Sequence, residues 1–185
     1  WRPDGSGWDW NPRKEYILSA VEGSLQRLQT DYIDLYQLHG GTLQDPIDET
    51  IEAFELLQQQ GKIRYWGLSL NTFDPLQEAD LLMPRNLGNG FQLALNILNQ
   101  RALPVIREAN KNGYGVIARM PLQFGLLTGK FDVQSTFPVN DHRHNRLTKE
   151  LISISNESLK PVWELCQKYK LTKTQLALSY VLSYP

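Results

Sequence analysis

Four side chains that can form hydrogen bonds stand at the ends of four apolar segments of this sequence. His39 ends DYIDLYQLH, Ser69 ends KIRYWGLS, Gln92 lies within GFQLAL, and Arg119 follows YGVIA. An imidazole, a hydroxyl, a carboxamide and a guanidinium can together hold one polar ligand through hydrogen bonds. Each of them alone could equally be an ordinary polar residue next to a loop, so only their convergence would indicate a site.

His39 is the most informative of these side chains because it follows an apolar segment directly. We expect it in a partly desolvated pocket, where a neutral imidazole donates one hydrogen bond. The alternative is a buried structural histidine whose ring bonds a backbone carbonyl.

The elements that would position these residues recur along the chain. Predicted strands begin near Tyr32, Ile63, Phe91 and Gly115, and their spacing of roughly 30 residues is that of one strand–helix unit. Helices are predicted over residues 12–29, from Asp45-Pro46 to Gly61, from Asp74-Pro75 onward, and over 103–112, 157–169 and 173–183; residues 132–156 form a polar stretch. This alternation predicts an α/β fold with parallel strands.

The carboxyl ends of parallel strands meet at one edge of the sheet, so the four polar side chains are expected at the same end of the fold. A doubly wound open sheet would also fit the alternation. The sequence has no G-x-G-x-x-G fingerprint after a strand, however, so the choice between barrel and open sheet depends on the strand ends.

Composition and charge exclude several classes of protein. The 185 residues include 41% hydrophobic and 21% charged residues, with a net charge of -1, which gives no electrostatic reason to expect nucleic acid or an anionic membrane as partner. The single cysteine, Cys166, precludes an internal disulfide and suits a reducing compartment. No apolar run approaches the ~20 residues of a membrane span. These features predict a cytoplasmic protein.

Five segments in order resemble the aldo-keto reductase family. SLQRLQTDYIDLYQLHG resembles the stretch around its active-site histidine, and GKIRYWGLS and FQLALNILNQRA resemble its next two strands. GVIARMPLQFGLLTGKF is similar to its seventh strand and cofactor loop, and LTKTQLALSYVLSYP to the helix before its last strand. The resemblance implies a parallel (β/α)8 TIM barrel, with residues 1–185 as a single, incomplete domain that holds strands four to seven.

The resemblance also implies roles for individual residues. His39 matches the catalytic histidine that orients the substrate carbonyl, and Ser69 and Gln92 match the residues that hold the nicotinamide carboxamide. Arg119 occupies the position of a tyrosine that usually stacks on the nicotinamide ring. The segment along the cofactor's diphosphate is matched by Pro121, Leu122, Gly125, Leu127 and Lys130. The usual asparagine after the serine is replaced by Leu70, with Asn71 one position later.

The activity implied is hydride transfer between NAD(P)H and an aldehyde or ketone, with NADP(H) expected in preference to NAD(H). The family's proton-donating tyrosine and its lysine and aspartate partners match no residue of this chain. One alternative is a regulatory module of the same fold that binds the cofactor but turns over little, such as a channel-associated subunit. A hydrolase with a metal on His39, His142 and His144 is a further alternative; we predict no metal site. The expected partner is a small carbonyl compound, and the oligomeric state is left open.

Overall fold

The computed structural model describes residues 11–39 and 47–184, and within them strands and helices alternate. The strands are β1 (Ile33–His39), β2 (Ile63–Ser69), β3 (Gly90–Ala94) and β4 (Gly115–Arg119); the helices are α1 (Lys14–Leu28), α2 (Ile47–Gln59), α3 (Pro75–Ala79), α4 (Leu103–Lys111), α5 (Lys149–Tyr169) and α6 (Lys173–Leu182). Short 3₁₀ segments span Met83–Arg85 and Gln123–Thr128. Each predicted strand start lies within one residue of an observed one. The predicted helix opening at Asp45-Pro46 lies outside the described residues.

The four strands form one sheet in the order β1-β2-β3-β4. β1 pairs with β2, and β2 with β3, in parallel, which confirms the predicted pairing. A doubly wound sheet reverses its strand order partway along, whereas a barrel adds each new strand next to the last one. The sequential order is therefore that of a barrel segment.

The described residues form two compact units. The first comprises residues 11–39, 47–93 and 104–117, and the second residues 94–103 and 118–184. In the first, Phe54 of α2 packs on Trp66 of β2 with ring centroids 5.0 Å apart, and both side chains are fully buried. In the second, Leu127, Leu159 and Ala177 form a buried cluster. The prediction of a single domain stays a prediction.

The helices follow from ordinary sequence signals. Ile17, Val21 and Leu25 lie four residues apart in α1, and all three are buried on one face. Thr172 begins α6 with a reciprocal capping box, in which its side chain accepts from the Gln175 backbone while the Gln175 side chain accepts from the Thr172 backbone. These local signals place both helices where the apolar periodicity predicts them.

The predicted start of α5 at residue 157 is wrong, because the helix begins at Lys149, within the stretch that we interpreted as polar and irregular. Thr148 caps it by accepting a hydrogen bond from the Leu151 backbone N–H at 3.2 Å. Only a narrow face is buried, including Ile152 and Leu159, whereas Leu151 and Ile154 of the first two turns are exposed. The apolar residues of these turns therefore form no clear stripe, which hid a capped, one-sided helix.

Candidate functional site

Three of the predicted site residues lie in one row across three neighbouring strands of the first unit. His39 is the register partner of Ser69, and Ser69 is the register partner of Gln92. Register partners in parallel strands direct their side chains to the same face. The imidazole, hydroxyl and carboxamide are therefore adjacent on one face, near the carboxyl ends of β1, β2 and β3.

Exposure differs along this row. Ser69 is 7% exposed, Gln92 is half-buried, and His39 is exposed. The expected partly desolvated pocket around His39 is therefore wrong for this structure. The physical reason is position: β1 is the first strand in the order of the described sheet and pairs there with β2 alone, so His39 has a neighbouring strand on only one side.

The backbone holds Ser69 and Gln92 side by side. The Leu70 N–H donates to the Gln92 carbonyl oxygen at 2.7 Å, which extends the β2–β3 ladder to the end of β2. The sheet itself, rather than a mobile loop, thus fixes the positions of the Ser69 hydroxyl and the Gln92 carboxamide.

The turn after β2 is tied down by Glu78 of α3. Glu78 is 2% exposed and accepts a hydrogen bond from the Asn71 N–H. The Asn71 Oδ1 in turn accepts from the Phe73 N–H at 2.8 Å. The side-chain oxygen of Asn71 therefore serves the turn, and a carboxylate that sequence reasoning did not single out anchors it.

Gln37 is the second residue that sequence reasoning missed. Its Oε1 accepts a hydrogen bond from Gln92 Nε2 at 2.8 Å. Gln37 stands two residues before His39 in β1, so the period-two rule of strands already places both on the same face. That spacing was the signal available in the sequence, but it does not show which residue on another strand Gln37 meets.

The second unit contains the predicted diphosphate segment, which begins at the end of β4. Arg119 Nη1 lies 3.2 Å from Met120 Sδ, and Arg119 is half-buried. Buried Asn96 fixes the turn that follows, because its Nδ2 donates to Met120 O and to Gln123 Oε1, both at 2.9 Å. Asn96 thus holds the start of this segment in place, through the Met120 carbonyl oxygen and the Gln123 side chain.

The backbone of this segment is strained at several points. Met120, Gln123 and Phe124 adopt φ values of 59°, 45° and 55°, although none is glycine. Gly125 follows at φ 94°, where the lack of a Cβ makes the conformation accessible. Consecutive left-handed residues are found preferentially at ligand-binding and switch segments, where surrounding contacts offset their cost.

The predicted diphosphate contacts occupy different environments. Pro121, Leu122 and Gly125 are half-buried, Lys130 is exposed, and Leu127 is fully buried in the cluster with Leu159 and Ala177. A ligand could contact only the backbone of Leu127, whereas the positively charged side chain of Lys130 is exposed. The roles of these residues, like those of His39, Ser69, Gln92 and Arg119, stay predictions.

The loop before α5 is organised around Arg143. Its Nη2 and Nε contact Asp141 Oδ2 at 2.5 and 3.0 Å, and these hydrogen bonds lower the pKa of Asp141 to about 2. The guanidinium also lies over the Phe137 ring, 4.9 Å from its centroid. His144 Nδ1 lies 2.8 Å from the Phe137 carbonyl oxygen. Within residues 11–39 and 47–184, no three His, Cys, Asp or Glu side chains are grouped as metal ligands would be.

Comparisons with known proteins place this geometry in a family context. The model of the aldo/keto reductase family matches residues 4–185. The uncharacterized oxidoreductase YqkF of Bacillus subtilis is 37% identical over 190 residues, which cover 100% of this chain and 58% of that protein. The chain therefore spans just over half the length of this curated relative.

Solved structures agree with the fold. The glycerol dehydrogenase AKR11B4 from Gluconobacter oxydans superposes with a TM-score of 0.81 at 29% identity, covering 95% of this chain and 54% of that one. The holo form of the aldo-keto reductase AKR11C1 from Bacillus halodurans gives 0.76 at 36% identity, covering 100% and 56%. The predicted fold, part of a parallel (β/α)8 barrel, is confirmed. None of the helices in the described ranges is long and apolar enough to cross a membrane.

Proposed function

Because this chain belongs to the aldo/keto reductase family, we propose that it forms the cofactor-binding part of an oxidoreductase that transfers a hydride between NAD(P)H and the carbonyl group of an aldehyde or ketone. The observation that carries the proposal is the row of His39, Ser69 and Gln92 on one face at the ends of parallel strands. In this arrangement His39, which would orient the substrate carbonyl, lies beside Ser69 and Gln92, which would hold the carboxamide of the cofactor.

The residues present fit a nicotinamide. A primary carboxamide has one acceptor oxygen and two donor hydrogens, and a hydroxyl next to a carboxamide side chain can satisfy both kinds. Ser69 and Gln92 are register partners, and the Leu70 N–H bond to the Gln92 carbonyl oxygen holds them together, so both groups face one ligand. Ser69 and Gln92 would hold the carboxamide, and Arg119 would contact the ring.

The diphosphate would be held separately, by the segment Pro121–Lys130. The N–H groups of Gln123 and Gly125 donate within the segment, to Met120 O and Leu122 O, and shape its turns. The exposed Lys130 would supply the positive charge for the diphosphate. Pro121, Leu122, Gly125 and Leu127 would shape this segment around the diphosphate. The preference for NADP(H) over NAD(H) is part of the proposal and is carried by the family resemblance.

His39 has a limited chemical task in this scheme. When bound, the reduced nicotinamide supplies the hydride, and the protein supplies orientation and charge placement. A neutral His39 ring donates one N–H to the substrate carbonyl oxygen, which polarises the carbonyl and fixes its angle of approach. The exposure of His39 is compatible with a ligand that reaches it from solvent.

The proposal predicts that Gln92→Ala weakens cofactor binding in the full-length protein. Loss of one neutral hydrogen bond should raise the dissociation constant roughly 3- to 10-fold. Titration of the protein with NADPH and with NADH, followed by tryptophan fluorescence, measures this effect and the preference between the two cofactors.

Gln58→Ala provides the matched control. Gln58 accepts from Trp66 Nε1 at 3.1 Å and donates to Arg64 O at 2.8 Å, on the helix-covered side of β2. Its removal should leave both dissociation constants unchanged. If neither NADPH nor NADH binds the unaltered protein, the proposed function is refuted.

A further inference from the structure

Gln37 and Gln92 meet across an intervening strand. Gln37 is the register partner of Gly67 in β2, and Gly67 is the register partner of Gly90 in β3, two residues before Gln92. Strands two apart in a sheet are separated by roughly 9–10 Å, so side chains from them meet only where nothing stands between. Gly67 provides that opening because it has no side chain.

The opening at residue 67 is enforced by packing. A Cβ atom at Gly67 would overlap the backbone carbonyl oxygen of Gly90. A residue with a Cβ at this point would force β2 and β3 apart, so glycine leaves this part of the face open. Gln37 and Gln92 form their 2.8 Å hydrogen bond on the same face.

The hydrogen bond determines which end of the Gln92 amide is left for a ligand. Gln37 Oε1 is an acceptor, so the Gln92 amide turns its Nε2 toward β1 and keeps its Oε1 as an acceptor on the other side. Both side chains are half-buried, which limits the competition of water for this contact. Without Gln37, the Gln92 amide could rotate by 180° and present either end.

We propose that Gln37 is a positioning residue that holds Gln92 so that its Oε1 accepts a hydrogen bond from the amino group of a bound carboxamide. The inference rests on the proposed function, since the carboxamide is that of the nicotinamide cofactor. Gln37 itself does not touch the cofactor in this scheme. Its effect is selectivity for ligands with a carboxamide N–H over ligands that lack one.

The test compares NADP⁺ with its 3-acetylpyridine analogue, in which a methyl ketone replaces the carboxamide. The analogue keeps the carbonyl oxygen and loses the amino group, so only the hydrogen bond to Gln92 Oε1 distinguishes them. Dissociation constants are measured by tryptophan fluorescence for the full-length protein and for Gln37→Leu, Gln92→Leu and Gln58→Leu. Gln58 is half-buried like Gln37 and also contacts β2, but from the helix side.

The unaltered protein and Gln58→Leu should prefer NADP⁺ over the analogue by the same factor, roughly 3- to 10-fold. Gln37→Leu should reduce this preference to near 1 by weakening NADP⁺ while binding of the analogue changes little. The double variant Gln37→Leu/Gln92→Leu should lose no more affinity for NADP⁺ than Gln92→Leu alone, because both residues serve one hydrogen bond to the ligand. Gln37→Glu, which retains an oxygen acceptor, should restore the preference.

Several outcomes overturn the inference. If Gln37→Leu loses the same factor of affinity for NADP⁺ and for the analogue, Gln37 has a structural role only. If its preference for NADP⁺ is unchanged, Gln37 has no role in binding. If Gln92→Leu abolishes the preference and Gln37→Leu does not, this inference fails while the proposed function survives. Absence of binding of either ligand to the unaltered protein refutes both. Should Gln37→Leu fail to fold, as judged by circular dichroism, Gln37→Met must show the same loss.

Discussion

At the scale of single residues, the absence of a side chain at Gly67 matters as much as the groups around it. Gly67 lies between Gln37 and Gly90 in the register of the sheet, and Gly90 in turn packs against Gly115. A Cβ at Gly90 would lie 2.6 Å from the Gly115 carbonyl oxygen, whereas one at Gly115 would meet nothing closer than 3.7 Å. Close backbone approach therefore constrains Gly67 and Gly90 but not Gly115.

This difference predicts a contrast between two identical substitutions. Gly67→Ala should lower the free energy of unfolding by about 1–3 kcal/mol, because β2 and β3 must move apart to admit a methyl group. Gly115→Ala, which has room for the methyl group, should change it by no more than about 0.5 kcal/mol. Urea unfolding of the full-length protein measures both, and equal effects at the two positions would contradict the packing argument.

At the scale of elements, the loop before α5 is stabilised by charge and aromatic contacts rather than by regular backbone pairing. Arg143 bonds Asp141, lies over Phe137 at 4.9 Å, and its backbone carbonyl accepts from Leu147 N–H at 2.8 Å. Leu147 belongs to a buried cluster with Leu126 and Ile152. Arg143 thus links the loop to the hydrophobic core of its own unit, through its guanidinium over Phe137 and through its backbone carbonyl.

This loop yields a pH prediction. The hydrogen bonds from Arg143 lower the pKa of Asp141 to about 2, so the ion pair is fully formed above the ordinary carboxyl range and is lost as the pH falls through about 2. The ¹³C carboxyl resonance of Asp141, assigned by its absence in Asp141→Asn, should titrate with that midpoint. Arg143→Met should raise the midpoint toward the ordinary value, and an unchanged midpoint would show that Arg143 is not the cause.

The sequence predicted some elements better than others, for identifiable reasons. β1 to β4 were located within one residue because each is a short apolar run bounded by polar residues or glycine. The first turns of α5 were missed because their buried face is narrow, and the Thr148 cap was overlooked. Polar surface helices give little apolar signal, so capping residues must carry the prediction there.

At the scale of the whole molecule, the order of elements was predictable, but contacts between distant residues were not. Recurrence of strand–helix units indicates an α/β fold with parallel strands, and the family resemblance implies the barrel. The strand ends indicate His39, Ser69 and Gln92 as candidate site residues. The Gln37–Gln92 contact joins residues 55 positions apart. It depends on a register that sets Gln37 beside Gly67 and Gln92 beside Ser69, and no local pattern in the sequence encodes that register.

The site face of the sheet has a second feature, a set of exposed apolar side chains. Leu35, Tyr65 and Ile117 are 37%, 56% and 44% exposed, and they line one shallow cavity. Leu35 and Tyr65 are register partners, and each lies four residues before a residue of the site row. Apolar side chains in this position normally fill the interior of a barrel. In the 185-residue chain by itself, they meet solvent.

We therefore predict that the 185-residue chain, expressed alone, associates with itself or aggregates and reduces carbonyls far more slowly than a version extended to the length of its curated relatives. Exposed apolar side chains promote association, and so does the edge of β1, which is unpaired in the described sheet. In the proposed function His39 orients a carbonyl, but a positioned general acid contributes a factor of roughly 10²–10⁴, and the resemblance matches the family's tyrosine to no residue of this chain. Oxidation of NADPH with a reactive aromatic aldehyde compares the rates, and light scattering compares association. Circular dichroism confirms folding of both chains, and equal rates would show that the residues needed for turnover all lie within this chain.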